Sequence, residues 1–360
     1  MTDRVYVCPI SCGPVKQFKG GAYFKIANGL IGANSLKIIH RKDDQTLRTH
    51  HCTVETVLDV IQSLPITIRD EAMAQWVGLR SKRADLQIGR RCLSIDSPKI
   101  MGILNMTPDS FSDGGKFTRE LHLAQKHVQT MVDEGASIID IGGESTRPGA
   151  TSVSEEEEKR RIMPAVEYCA SAGLVVSVDT RRSGVLEAAL RAGAQMANDI
   201  SGMQYDPRSM SIASAANCPV ILMHTPGHGS DPHQNDGYKE VVFDVFDALK
   251  KLRDQVIEKG VKRSQIILDP GLGFGKNLSD NLAIVNSLGM FHSLGQPLIL
   301  GASRKRLIGA LSQDAPVHKR LGGSVALAIV ALNAGVQLLR VHDVAETVQA
   351  RDVWLGLCKD

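Results

Sequence analysis

The sequence predicts an α/β chain: a (β/α)8 TIM barrel preceded by a small α/β N-terminal extension. Three observations carry that expectation. From residue 98 onward, short β-branched or apolar runs alternate with stretches whose apolar residues recur at helical spacing. Eight such runs alternating with helices mean a parallel sheet. They occupy about 260 residues, the size of one closed barrel. A doubly wound sheet is the alternative arrangement.

Residues 1–97 read as irregular α/β, with glycines clustered at Gly20, Gly21, Gly29 and Gly32. A helix is expected over residues 53–64, where Val54, Val57, Leu58 and Ile61 form one stripe, and a second over 70–79. Residues 86–97 suit a short hairpin or strand, ended by Ser97-Pro98. The barrel is assigned to residues 98–360. Its strands are expected at 99–105, 137–141, 174–179, 196–200, 219–224, 265–269, 297–301 and 338–341. Leu121, Ala124, Val128, Met131 and Val132 mark one intervening helix; Val242, Val245, Phe246, Leu249, Leu252 and Val256 mark another. Ser154 before Glu155, Glu156, Glu157 and Glu158 has the chemistry of a capped helix start, with the four carboxylates expected in solvent.

Composition narrows the function. Hydrophobic residues at 43% suffice for a core and rule out a disordered chain. Aromatic residues at 4% argue against a single-strand nucleic-acid platform, which needs stacking faces. The net charge of +3 is too mild to imply a nucleic-acid or membrane partner. It is unevenly placed: residues 1–97 carry a net of +5 and the remainder −2. Seven scattered cysteines make no disulfide framework, and no run of apolar residues is long enough for a membrane span or signal peptide. A soluble cytoplasmic protein is expected.

In a barrel the chemistry gathers at the C-terminal ends of the strands. All eight ends here carry polar or ionisable groups: Asn105; Asp140 through Glu144, Thr146 and Arg147; Asp179; Asn198 and Asp199; Met223-His224; Asp269 through Phe274 and Lys276; Ser303-Arg304-Lys305; and Arg340-Val341-His342. Any one of them alone is ordinarily a turn former or a cap. Gly271, Gly273 and Gly275 fit neither of the common glycine-rich phosphate patterns. Cys8, Cys12, His50, His51 and Cys52 match no strong zinc spacing. The eight ends together point to a ligand. Asp179, Asn198 and Asp269 suit the N–H and C=O edge of a flat heterocycle. Arg340 and His342, two apart on one strand, share a face and, with Arg147, suit a phosphate or diphosphate. Asn105 offers a hard oxygen to Mg2+.

The segments MGILNMTPDSFSDGG (101–115) and DIGGESTRPGA (140–150) closely resemble the two signature segments of the dihydropteroate synthase family. The resemblance continues through SVDT (177–180), NDISG (198–202), VILMH (220–224), LDPGLGFGK (268–276), SRK (303–305) and RVHDVAETVQA (340–350), and spans nearly all of 99–357. It implies a barrel enzyme of folate synthesis and a sulfonamide target. Such an enzyme joins 4-aminobenzoate to 6-hydroxymethyl-7,8-dihydropterin diphosphate with release of diphosphate. It implies that Asp179, Asn198, Asp269 and Lys305 bind the pterin, with Met223 and Phe274 lining the slot. Asn105, Arg147, Arg340 and His342 would hold the diphosphate, Asn105 through Mg2+. Thr146, Arg147, Pro148, Ser303 and Lys305 would border 4-aminobenzoate. Asn105, Asp179, Asp269, Lys305, Arg340 and His342 form the implied catalytic set. The loops at 107–117 and 146–152 would close over the substrates, and a homodimer is implied, with 316–356 as its candidate surface. The loop 223–235 follows the family pattern loosely, and residues 1–97 have no counterpart in it. Two rival functions are a pterin-binding methyltransferase barrel, which has no need of ESTRPG or SRK, and a non-catalytic paralogue, which would have lost Asn105, Asp179, Lys305 or Arg340.

Overall fold

The computed structural model describes residues 3–18, 20–107, 117–146, 149–226, 231–234 and 237–358. The chain opens with an antiparallel sheet. Strand β1 (Asp3–Pro14) pairs with β3 (Ile31–Lys42), and β3 pairs in turn with β4 (Gln45–Thr53) and the short β2 (Phe24–Lys25). This region is more regular than its sequence suggests. Every second residue of β3 near its middle, Leu36 and Ile38, is buried, the period-two signature of a half-covered strand.

Two helices follow, α1 (Val57–Ser63) and α2 (Ile66–Arg80). Helix α1 starts later than the apolar stripe predicts, because Thr53 still belongs to β4 and its N–H donates to the Thr56 hydroxyl, 3.0 Å, in a turn. Helix α2 starts four residues earlier than expected, directly after Pro65, whose fixed φ suits a helix entrance. A hairpin of β5 (Leu86–Ile88) and β6 (Arg91–Leu93) closes the region, where the sequence places one.

The barrel follows. Its strands are β7 (Lys99–Asn105), β8 (Ile138–Gly142), β9 (Val176–Asp179), β10 (Met196–Asp199), β11 (Val220–Met223), β12 (Ile266–Asp269), β13 (Ile299–Leu300) and β14 (Leu338–Val341). Between and after them run α3 (Phe117–Asp133), α4 (Glu155–Ser171), α5 (Ser183–Arg191), α6 (Ser209–Ala216), α7 (Val241–Glu258), α8 (Leu278–Asn286), the short α9 (Leu288–Phe291), α10 (Arg306–Leu311), α11 (Leu321–Asn333) and α12 (Val344–Cys358). All strand pairings in this sheet are parallel, in the order β12-β11-β10-β9-β8-β7-β14-β13. A parallel bridge from Leu268 to Leu298 joins the two ends of that order. The sheet therefore closes into a barrel, and the doubly wound alternative does not apply.

Strand alternation divides the core in two. Ile139, Ile141, Val176, Val178, Ala197, Val220, Leu222, Ile266 and Leu268 face the helices. Met101, Ile138, Met196, Ile221, Ile267, Ile299 and Leu338 fill the barrel interior, together with Leu86 and Ile88 of the hairpin and Ile95 after it. The last segment before the barrel thus plugs its floor. The residues two further along the same interior faces are Asp140, Asn198, Met223, Asp269 and Arg340. One parity therefore supplies an apolar floor and a polar mouth.

The N-terminal sheet and α2 pack on the outside of the barrel. Tyr6 lies against Phe243 and Phe246 of α7, ring centroids 4.6 and 5.4 Å away, and its hydroxyl donates to Asp247 at 2.8 Å. Arg41 stacks over Phe243 and pairs with Glu240. Arg83, almost fully buried, donates to the carbonyl of His292 at 2.8 Å. A Cβ on Gly78 would lie 2.5 Å from the carbonyl oxygen of Ser293, so α2 approaches the barrel as closely as it does only with glycine there.

Candidate active site

The mouth is built around Arg340 of β14. Its Nε donates to Asp140 and its Nη2 to Asp179, both at 2.6 Å. Asp140, fully buried on β8, also accepts from the amide Nδ2 of Asn198 on β10 at 3.0 Å. Four residues from four strands thus form one chain: Asn198, Asp140, Arg340, Asp179. Burial raises Asp179 above the usual carboxylate range, Arg340 opposes that, and Asp140 adds to it. The Arg340 guanidinium, between two carboxyl groups, is held more firmly charged than usual, against burial.

Asp269 stands at the end of β12, on the same interior parity as Arg340 and Asn198. It accepts the backbone N–H of Gly271 at 2.7 Å, and burial raises it too. Gly271 has φ +70° and Gly273 φ +78°, a left-handed course that side chains disfavour, and a Cβ on Gly273 would press on the Lys305 stem at 3.3 Å. The turn brings Phe274 under Lys305, whose Nζ lies 4.1 Å from the ring centroid. Burial pushes Lys305 down to about 8, with Asp269 opposing and Arg340 assisting. Phe274, Met223 and Ile200 form a small buried apolar cluster beside these charges. Lys276 is pushed by burial down to about 7. It donates to the carbonyls of Gly271 and Phe274, at 2.9 and 3.2 Å, and meets His224 Nδ1 at 3.0 Å, so it holds the sixth loop in shape.

On the eighth strand end, Ser303 Oγ accepts the backbone N–H of His342 at 3.2 Å and lies 3.1 Å from its Nδ1. Burial first, then Arg340 and Arg304, push His342 down to about 3, so the ring is neutral. Asn105 ends β7 with the same parity as Met101, half-buried at the mouth. Its amide oxygen is a hard donor that fits Mg2+, an ion that takes few protein ligands when phosphates and water supply the rest. Thr146 accepts at its carbonyl from the ring of His233, 2.7 Å, and His233 stacks on Phe274 at 5.2 Å, linking the second, fifth and sixth loops. Arg147, Pro148 and most of the 107–117 loop lie outside the described residues.

One expectation is overturned. Glu155, Glu156 and Glu157 are partly or fully exposed, and Ser154 does cap α4 by accepting from the N–H of Glu157. Glu158, however, is fully buried and paired with Arg182. The helical turn carries its fourth carboxylate inward. Arg182 also donates to Glu144, Ser152 and the carbonyl of Val153, at 3.0, 3.0 and 2.6 Å. That network ties the end of the second loop to the barrel. Sequence reasoning assigned no site role to Asp140, Ile200, His233, Lys276 or Arg182. For Asp140 a signal existed: it stands two residues before Gly142 on the interior face.

Fold and site together define a (β/α)8 enzyme that binds a pterin, and residues 101–342 match the family model described as pterin binding enzyme. The chain is 45% identical over 248 residues to the dihydropteroate synthase of Bacillus subtilis, covering 69% of this chain and 84% of that one. It superposes on a Xanthomonas albilineans dihydropteroate synthase solved with 4-aminobenzoic acid, with TM-score 0.72 and 41% identity, covering 77% of this chain and 98% of that one. A structure of that enzyme with 7,8-dihydropteroate gives TM-score 0.70 and 38% identity, over 76% and 98% of the two chains. The chain belongs to the dihydropteroate synthase family, transferases of folate biosynthesis. Among the described residues no helix is long and apolar enough to cross a membrane.

Proposed function

We infer that this mouth binds 6-hydroxymethyl-7,8-dihydropterin diphosphate and 4-aminobenzoate and joins them to 7,8-dihydropteroate and diphosphate. The observation that carries the reading is the gathering of Asp179, Asn198, Asp269 and Arg340 at the barrel mouth with Met223 and Phe274, and Lys305 across Phe274. Asp179 and Asp269 accept from the ring N–H groups of the pterin, Asn198 reads the same edge, and Lys305 donates to it. Arg340, His342 and Arg147 are assigned to the diphosphate. Thr146, Arg147, Pro148, Ser303 and Lys305 border the 4-aminobenzoate. Mg2+ held by the Asn105 amide oxygen would supply charge neutralisation for the diphosphate.

The bond between the pterin methylene carbon and the diphosphate oxygen breaks, and its electron pair leaves with the diphosphate, which Arg340 stabilises. The electron-rich ring shares the positive charge on the methylene, and the carboxyl groups of Asp179 and Asp269 favour that charge. The amine nitrogen of 4-aminobenzoate bonds to that carbon, and the proton it loses passes to solvent water. Its low basicity removes the need for a strong general base, so the protein chiefly positions and stabilises in an SN1-like substitution. The test is direct: purified protein is mixed with the pterin diphosphate, 4-aminobenzoate and Mg2+. Dihydropteroate and diphosphate are expected, and their absence refutes the reading.

The same reading divides the chain into an extension, 1–97, that braces the outside of the barrel, and a catalytic barrel, 98–360. It makes the protein a homodimer through residues 316–356, where Val317, Leu321, Val330 and Val353 are exposed. It places the protein in the cytoplasm, which agrees with seven unpaired thiols.

A further inference from the structure

We propose that Asp140 is a positioning residue that sets the hydrogen-bonding polarity of the pterin pocket through Asn198 and Arg340. The inference rests on the pterin reading above and deepens it. A carboxylate only accepts, so the Asn198 atom 3.0 Å away must be the amide Nδ2. That orientation leaves Oδ1, an acceptor, as the end for a ligand N–H. Without Asp140 the amide has no reason to choose, and its flipped form would offer a donor where the ligand also has one. The second hydrogen bond, from Arg340 Nε at 2.6 Å, fixes the plane of the guanidinium from behind. Nη2 then lies on Asp179. An arriving diphosphate draws the Nη side away while Nε stays on Asp140, and Asp179 is freed for the pterin in the same event.

Asp140 is well placed for such a role. It is fully buried, one step below the strand end, and it reaches β10 and β14 at once. Its other oxygen, Oδ1, has no partner among the described residues. A group wanted only to neutralise a buried arginine would not need to hold an amide as well, and a buried unpaired oxygen is costly for stability alone.

The experiment compares wild type with Asp140→Asn, which keeps the shape and removes the obligatory acceptor. Affinity for 6-hydroxymethylpterin, measured by calorimetry, should fall about 10- to 100-fold, the loss expected for charge-assisted hydrogen bonds. The KM for 4-aminobenzoate should stay within about twofold, since none of the described residues proposed to border it bonds Asp140. In the Asp140→Asn background, Asn198→Ala should cost much less affinity than it does in wild type. Unchanged pterin affinity, or losses that simply multiply, would overturn the proposal. So would a lowered melting temperature as the variant's only defect. Should Asp140→Asn not fold, the side-chain amide of Asn198 is followed in wild type by nitrogen-15 NMR. Slow hydrogen exchange is expected, and rapid exchange overturns the proposal. Wild type that makes no dihydropteroate refutes the reading of function, whereas active wild type with an unaltered variant refutes the role of Asp140 alone.

Discussion

Lys305 illustrates how burial tunes a single side chain. With its ammonium close to the Phe274 ring and in the field of Arg340, it sits at about 8 instead of its ordinary value above 10. Its proton is therefore present at neutral pH and lost as pH rises through about 8. The kcat/KM for the pterin diphosphate, which reports the free enzyme, should fall over that window. Lys305→Arg, whose guanidinium stays charged, should flatten the alkaline limb while lowering the overall rate. A pH profile of both proteins checks this, and a wild-type profile level to about pH 10 would contradict it. His342 behaves oppositely: pushed down to about 3, it is neutral throughout the working range and contributes no acid limb.

At the scale of elements, loops are positioned by buried charges rather than by their own residues. Arg182, just before α5, spreads its guanidinium over Glu158 of α4, Glu144 after β8, and Ser152 and Val153 at the end of the second loop. Only a planar fork makes all these contacts at once. Arg182→Lys keeps the charge and loses the fork. It should lower stability by about 1–3 kcal/mol and raise the KM for 4-aminobenzoate, the substrate proposed for the second loop, with little change for the pterin. Denaturant unfolding and paired KM measurements test it, and an unchanged KM for 4-aminobenzoate would remove Arg182 from that role. The hairpin β5–β6 is a second example: Leu86 and Ile88 complete the barrel floor, so the extension is part of the barrel's interior packing.

At the scale of the molecule, residues 1–97 cover Phe243 and Phe246 of α7 with Tyr6 and cross the seam with Arg4–Asp247, Arg41–Glu240, Lys239–Asp44 and Lys250–Glu71. Deleting them exposes aromatic surface and opens the floor. The truncated chain should aggregate or change its association before it loses chemistry, as light scattering and turnover would show. A soluble, correctly assembled but inactive truncation would assign the extension a catalytic part instead. On the opposite question of assembly, Val353→Asp on α12 should convert the proposed homodimer to monomers in sedimentation. A dimer that survives it places the interface elsewhere. These four seam pairs leave the +5 net charge of the extension unchanged, because two use its cations and two its anions.

The barrel was legible in the sequence because parallel strands are local: each needs only a short apolar run between helices, and all eight runs coincide with observed strands to within a few residues. The placement of Asp179, Asn198, Asp269 and Arg340 at the mouth was legible because each stands at the end of a strand, a rule of position along the chain. The N-terminal sheet was not. Its strands pair antiparallel over long registers, and the cover on their faces comes from α2 and α7, so the local pattern is diluted by half-exposed positions. Nor were the burial of Glu158 and the partners of Asp140. Whether a carboxylate faces water or a buried guanidinium depends on Arg182, 24 residues away, and on Arg340, 200 residues away. The chain's own pattern determined the barrel and the identity of the groups at its mouth. Which of them pair, and how burial shifts their protons, was decided only when folding brought distant strands side by side.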